Sequence, residues 1–266
     1  MVFAKKSLGQ NFLMHRQIAE RIVKAAELPK NALVLEIGPG TGMLTKELLN
    51  LGYRVHAVEA DFALIPLLEE TFSAQIKDGR LTLRAADIRT FDTTTVPEEY
   101  HLVANIPYYI TGEIIRQFLT APNQPGSMTL LVQKEVAERI ARSTKESLLS
   151  LSVKVYGQPK YCFTVPRGAF VPAPNVDSAV LRVQGINRDS FIDREEEGRF
   201  FDVIHAGFAH KRKRLAKNLE DYSSKEEVSK GFAEAALGEN IRSEELSLSN
   251  WLTLVKNMKP SQKGSV

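Results

Sequence analysis

Leu33-Val34-Leu35-Glu36-Ile37-Gly38-Pro39-Gly40-Thr41-Gly42 decides the fold of this chain. Its first half is a short apolar run that reads as a buried strand. Three glycines then fall within five residues, which lets the backbone turn sharply and come close to a ligand. A helical pattern follows over 43–51. Strand, glycine turn and helix form the opening unit of an open α/β sheet, and the turn is where such sheets hold nucleotides.

The same rhythm continues downstream. Apolar runs predict strands over 54–58, 81–85, 102–104 and 128–132, alternating with helical stretches over 63–72, 113–119 and 136–142. This alternation predicts a Rossmann-like, doubly wound parallel sheet of the α/β class. Two later strands, 161–165 and 177–183, are separated by a proline-rich loop rather than a helix, so they are expected to close the sheet as an antiparallel edge. A polar linker is expected over 184–197. Helical stretches without strands follow over 200–208, 212–219, 228–237 and 244–255. The predicted organisation is therefore a cofactor-binding domain over 1–185, a small all-α domain over 196–259 and a frayed tail over 260–266.

Composition narrows the function classes. At 266 residues, 43% hydrophobic and 25% charged, the chain has the make-up of a globular protein with one sizeable core and a smaller module. No run reaches the ~18 apolar residues that cross a bilayer. The opening Met1-Val2-Phe3-Ala4-Lys5-Lys6 leads into polar residues, and Cys162 is the single cysteine, so a cytoplasmic protein is expected. Net charge is only +3, yet Lys211-Arg212-Lys213-Arg214 and Lys217 form a dense basic cluster. Such a cluster either grips a phosphate backbone or is a solvated helix face.

The glycine turn has the spacing Gly-x-Gly-x-Gly, with Met43 where a dinucleotide fingerprint needs its third glycine. That spacing after an acid fits S-adenosylmethionine, which has no pyrophosphate to seat on a helix N-terminus. Glu36 suits its ammonium and sulfonium charges. Glu59, at the end of the second strand, can accept from ribose hydroxyls. Asp87, after the third, can accept from the adenine amine. No metal is called for.

Asn105-Ile106-Pro107-Tyr108 closes the fourth strand beside this cofactor. The Asn105 carbonyl and a nearby backbone carbonyl can accept the hydrogens of a planar exocyclic amine, drawing its lone pair out of conjugation, while Tyr108 stacks on the ring. Phe170, in a loop stiffened by Pro166, Pro172 and Pro174, either covers the second face of the base or plugs the core. Two stacking rings, each worth roughly 1–3 kcal/mol, would offset the cost of extruding a base.

The chain resembles the KsgA-type ribosomal RNA adenine dimethyltransferases. The resemblance rests on Lys6-Ser7-Leu8-Gly9-Gln10-Asn11-Phe12-Leu13, on 36–42, on Asn105 to Tyr108, on 133–139 and on 170–180. It implies that Gln10, Asn11, Leu13, Gly38, Gly40, Glu59, Asp87 and Asn105 contact S-adenosylmethionine. It also implies that Asn105, Tyr108 and Phe170 handle a target adenine and that the basic cluster binds small-subunit ribosomal RNA. The family dimethylates N6 of two adjacent adenosines on an immature 30S particle. A monomer, away from membranes, is expected. His15 stands where the family usually caps its first helix with Asp, which predicts a weaker cap. Tyr109 stands where the family usually has Asn or Gln. The related large-subunit enzymes that confer macrolide resistance share Asn-Ile-Pro-Tyr, so that tetrapeptide fits them equally. The chain could also be a non-catalytic nucleic-acid-binding relative or a small-molecule N-methyltransferase.

Overall fold

The computed structural model describes Lys5, residues 9–97 and residues 99–260. Lys6-Ser7-Leu8 of the family-like opening, and the tail beyond residue 260, lie outside the described residues. The chain forms two compact units, one of Met1–Ala141 with Gly157–Asn187, the other of Arg142–Tyr156 with Arg188–Val266.

The first unit runs β1 (Phe12–Leu13), α1 (Arg16–Ala25), β2 (Leu33–Ile37), α2 (Met43–Asn50), β3 (Arg54–Glu59), α3 (Ile65–Thr71), α4 (Ser73–Lys77), β4 (Leu81–Ala85), β5 (Tyr100–Asn105), α5 (Thr111–Thr120), β6 (Ser127–Gln133) and α6 (Lys134–Ala141). After an excursion into the second unit it resumes with β7 (Gln158–Val165), β8 (Phe170–Val171) and β9 (Ser178–Gln184). Seven strands form one sheet in the order β4-β3-β2-β5-β6-β9-β7. The pairs β4/β3, β3/β2, β2/β5 and β5/β6 are parallel, while β9 is antiparallel to both β6 and β7. The expected α/β sheet with an antiparallel edge is what forms. All five residues of β2 are buried, which is why it reads as a continuous apolar run rather than an alternating one.

Strand order turns around at β2: β3 and β4 extend one way, β5 and β6 the other. The two crossovers leave a crevice at the carboxyl ends of β2 and β5, where open α/β sheets bind ligands. A separate two-stranded ladder pairs Phe12 with Val171 and Leu13 with Phe170. It ties the N-terminal segment to the proline-rich loop. His15 caps α1 in extended conformation without a side-chain hydrogen bond, as its identity predicts.

The second unit holds α7 (Leu148–Lys154), α8 (Arg194–Phe208), α9 (Leu215–Leu219), α10 (Lys225–Glu234) and α11 (Leu248–Asn257). Helix α7 was not apparent in the sequence: Leu-Ser-Leu-Ser-Val alternates like a strand, yet Ser147 and Ser150 form a reciprocal capping box that starts a helix. Part of the polar stretch expected as linker is the first turn of α8. Asp193 accepts from the Glu196 amide at 2.8 Å, and Glu195, Glu196 and Glu197 fill the turn where negative charge suits the helix dipole. Trp251 is fully buried and stacks on Phe208 at 5.6 Å. Its ring lies so close to Gly207 that an added Cβ would meet it at 2.4 Å, so only glycine fits there. Among the described residues, no helix is long and apolar enough to cross a membrane.

Candidate active site

The crevice is a cavity of about 1070 Å³, including the part open to solvent. It is walled by the ends of β2, β3, β4 and β5 and by the N-terminal segment 9–13. Gly38, Gly40 and Gly42 have φ of 65°, 59° and 81°, in the left-handed region that side chains disfavour. A Cβ at Gly40 would meet the Phe12 ring at 3.0 Å, so the glycine also makes room for the segment above it.

Glu36 is 1% exposed, and among the described residues no group meets hydrogen-bond geometry with either carboxylate oxygen. Burial pushes its carboxyl up to about 8, the nearby polar groups of Thr45 opposing the shift and the Glu59 charge adding to it. Glu59 is also buried, but it is held. Its two oxygens accept from the Gly40 amide at 3.0 Å and the Asp61 amide at 2.8 Å. Burial still raises its pKa, because those bonds offset only part of the desolvation. Asp87 faces a different environment. Arg89 donates to both of its oxygens at 2.6–3.1 Å and keeps its carboxyl below the ordinary range.

The N-terminal segment is fastened by groups that the sequence did not single out. Asp61, 3% exposed, accepts from Lys5 Nζ at 2.7 Å and from Gln10 Nε2 at 3.0 Å. Burial alone would raise the Asp61 carboxyl, but Lys5, Gln10 and the Ala63 amide together hold it low. Its position two residues beyond Glu59 was the one available signal. A second tie is more pointed: Asn105 Nδ2 donates to the Asn11 carbonyl at 3.1 Å, across 94 residues. This bond orients the side chain and leaves the Asn105 carbonyl oxygen available to accept from a ligand. Gln10, Asn11, Leu13, Gly38, Gly40, Glu59, Asp87, Asn105 and Tyr108 all line the cavity, whereas Glu36 is not on its wall.

Tyr108 begins a short 3-10 turn and is half-buried, its hydroxyl paired with Ser178 Oγ at 2.6 Å. Burial raises its pKa, and the Ser178 bond opposes the rise. Phe170 is not on the cavity wall. It is 2% exposed and packs in the main core with Leu13, Val165 and Val180. Of its two readings, the core plug matches this placement, because strand pairing with Leu13 draws its ring inward.

The family profile described as ribosomal RNA adenine dimethylase matches residues 1–259. The chain belongs to the ribosomal RNA adenine dimethylase family. A Lactococcus lactis protein named "Ribosomal RNA small subunit methyltransferase A" is 38% identical over 97% of this chain and 91% of its own length. A Dehalococcoides mccartyi protein of the same name is 40% identical over 94% and 87%. Among solved structures, the 23S rRNA methyltransferase ErmE superposes with a TM-score of 0.76 at 27% identity, covering 93% of this chain and 99% of its own.

The basic cluster differs from the helical segment expected over 212–219. Residues 211–214 are exposed and precede α9, which starts only at Leu215. The buried Asn218 side chain secures the turn, donating to the carbonyls of Gly207 at 2.6 Å and His210 at 3.2 Å. Lys217 already pairs with Glu220 at 3.0 Å. The chain thus presents four exposed cations on a braced loop, with a fifth partly neutralised on the adjoining helix.

Proposed function

We propose that this protein transfers methyl groups from S-adenosylmethionine to N6 of two adjacent adenosines near the 3′ end of small-subunit (16S) ribosomal RNA. It acts as a cytoplasmic monomer on an immature 30S particle. Family membership and the two small-subunit relatives support the substrate class. Their 38% and 40% identity over most of the chain exceeds the 27% to the large-subunit enzyme ErmE.

The cavity fits the methyl donor. Two buried carboxylate oxygens of Glu36 without partners, beneath a turn of left-handed glycines, are the environment a cationic amino-acid moiety would satisfy. When bound, S-adenosylmethionine supplies an activated methyl group on its sulfonium. Glu36 and Glu59 would hold its charged and ribose ends, with Gln10, Asn11, Leu13, Gly38 and Gly40 completing the set of residues that would hold it. Asp87 receives the cofactor's adenine amine by sharing its carboxylate with Arg89.

The observation that carries the chemistry is the Asn105–Asn11 hydrogen bond. It fixes the amide so that its carbonyl accepts a hydrogen from the target N6, alongside a backbone carbonyl of the same turn. Both acceptors draw the nitrogen lone pair out of the ring and toward the methyl group. The proton leaves with or after methyl transfer, so no strong base is needed. In-line positioning in a water-poor site provides the rate. Tyr108, held by Ser178, stacks on the target base, and Phe170 supports from within the core the N-terminal segment 9–13, the strap along the cavity wall. The loop Lys211 to Arg214, with Lys217, grips the RNA backbone.

Methylation of immature 30S particles followed by mapping of the modified bases tests the reading. Label is expected on adjacent adenosines of small-subunit RNA. Label on large-subunit RNA, or none, overturns it.

A further inference from the structure

Tyr109 takes no part in nitrogen activation, yet it lines the same cavity and is 62% exposed. It directly follows Tyr108 in the 3-10 turn, whereas Tyr108 is half-buried and hydrogen-bonded. An exposed aromatic at the mouth of a cavity offers a free ring face to a planar ligand. The ring is not loose. One side rests on the strap at Gly9, where an added Cβ would meet Tyr109 Cε1 at 2.9 Å and Pro107 Cβ at 3.4 Å. Gly9, with φ of 60°, supplies both the turn and the space. Arg89, its guanidinium paired with Asp87, lines the same cavity. A flat, braced ring with solvent on its other side has the make-up of a base-stacking platform.

We propose that Tyr109 forms a stacking subsite for the nucleobase next to the adenosine being methylated. The subsite rests on the proposed function, methylation of adenine in RNA. An adenine drawn into the pocket remains covalently joined to its neighbours in the RNA chain. The neighbour must leave its own stack when the target is extruded, and a ring at the pocket mouth replaces the lost stacking partner. Tyr109 thereby lowers the cost of extrusion and sets which neighbours are tolerated, favouring purines, whose larger faces stack better.

The test combines a protein change with an RNA change. Small-subunit particles are assembled with a synthetic RNA segment in which the nucleotide on either side of the mapped adenosine is, in turn, abasic. On intact RNA, Tyr109→Ala is expected to raise KM about ten-fold, and Tyr109→Phe to stay within about two-fold of the parent. On RNA abasic at the stacking position, Tyr109→Ala should cost little more, because the base it would stack on is gone. An equal loss on intact RNA and on both abasic RNAs overturns the subsite. So does a loss in Tyr109→Phe as large as in Tyr109→Ala. Calorimetric affinity for S-adenosylmethionine is measured in parallel. A fall there that accounts for the whole KM change would make the ring a brace for the strap only and overturn the subsite. If the parent protein labels no ribosomal RNA adenine, the functional reading fails first and the subsite with it.

Discussion

The cofactor cavity and the basic loop bind by opposite physical means. Around the glycine turn, acidic groups are buried before any ligand arrives: Glu36 has no partner and Glu59 is held only by amides. At 211–214 the cations stand in solvent on a loop braced by Asn218. The first arrangement stores desolvation cost in the protein, so each group matters strongly and salt matters little. The second stores nothing, so each group adds a modest, screened increment. A small ligand of fixed shape rewards the first design. A long polyanion contacted at many points rewards the second.

The largest effect should come from the site where the two substrates meet. Asn105→Ala removes the acceptor for the target amine and the tie to Asn11, and transfer should fall by at least about 10²–10³-fold. RNA affinity should hardly change, as read by filter binding beside a single-turnover assay. Near-normal turnover would break the proposed nitrogen activation.

Next comes the buried acid beside it. Glu59→Gln retains one acceptor but loses the charge, and cofactor affinity should drop about 10–100-fold by calorimetry. That loss should be nearly independent of salt, in contrast to any change at the basic loop.

Glu36 is the group whose burial makes stability depend on pH. Its carboxyl lies near 8 in the folded protein against 4.5 ordinarily, so the folded state holds a proton that the unfolded state has lost. The contribution of this group to the stability of the ligand-free protein should be fully present below pH 4.5, fall on the order of 1 kcal/mol per pH unit toward pH 8, and change no further above that. Urea unfolding across this range should show the fall, and Glu36→Gln should flatten it. A parent protein with the same flat profile would show that Glu36 is not protonated there.

The smallest effects belong to the loop. Arg212→Ala should weaken RNA binding a few-fold at physiological salt and reduce the slope of log affinity against log salt by about one. Lys217→Ala should do less, because Glu220 already neutralises that ammonium. Equal effects would mean that the Lys217–Glu220 pair opens on binding.

Much of the site could be read in the chain because its residues follow strand ends. Glu36, Glu59, Asp87 and Asn105 each lie at or just beyond a strand whose apolar run was plain, and parallel pairing brings successive strand ends to one edge. Phe170 could not be settled the same way. Its loop is stiff by composition, but whether the ring points to base or core depends on the ladder with Leu13. Asp61 was overlooked because a lone acid after a strand has many ordinary uses. It gained a role only through Lys5 and Gln10, more than fifty residues earlier.

Local sequence was enough for the alternating α/β order, the glycine turn, the family motif and the basic cluster. These rest on local patterns and on residue chemistry that neighbours a few positions away already express. Tertiary structure alone decided that Arg142–Tyr156 joins the helical unit, that Asn11 orients Asn105, that Glu36 is left unpartnered and that Tyr109 stays exposed. Each of these is a contact, or the lack of one, between distant parts of the chain. Burial and hydrogen-bond satisfaction are properties of the packed whole, and no window of sequence contains them.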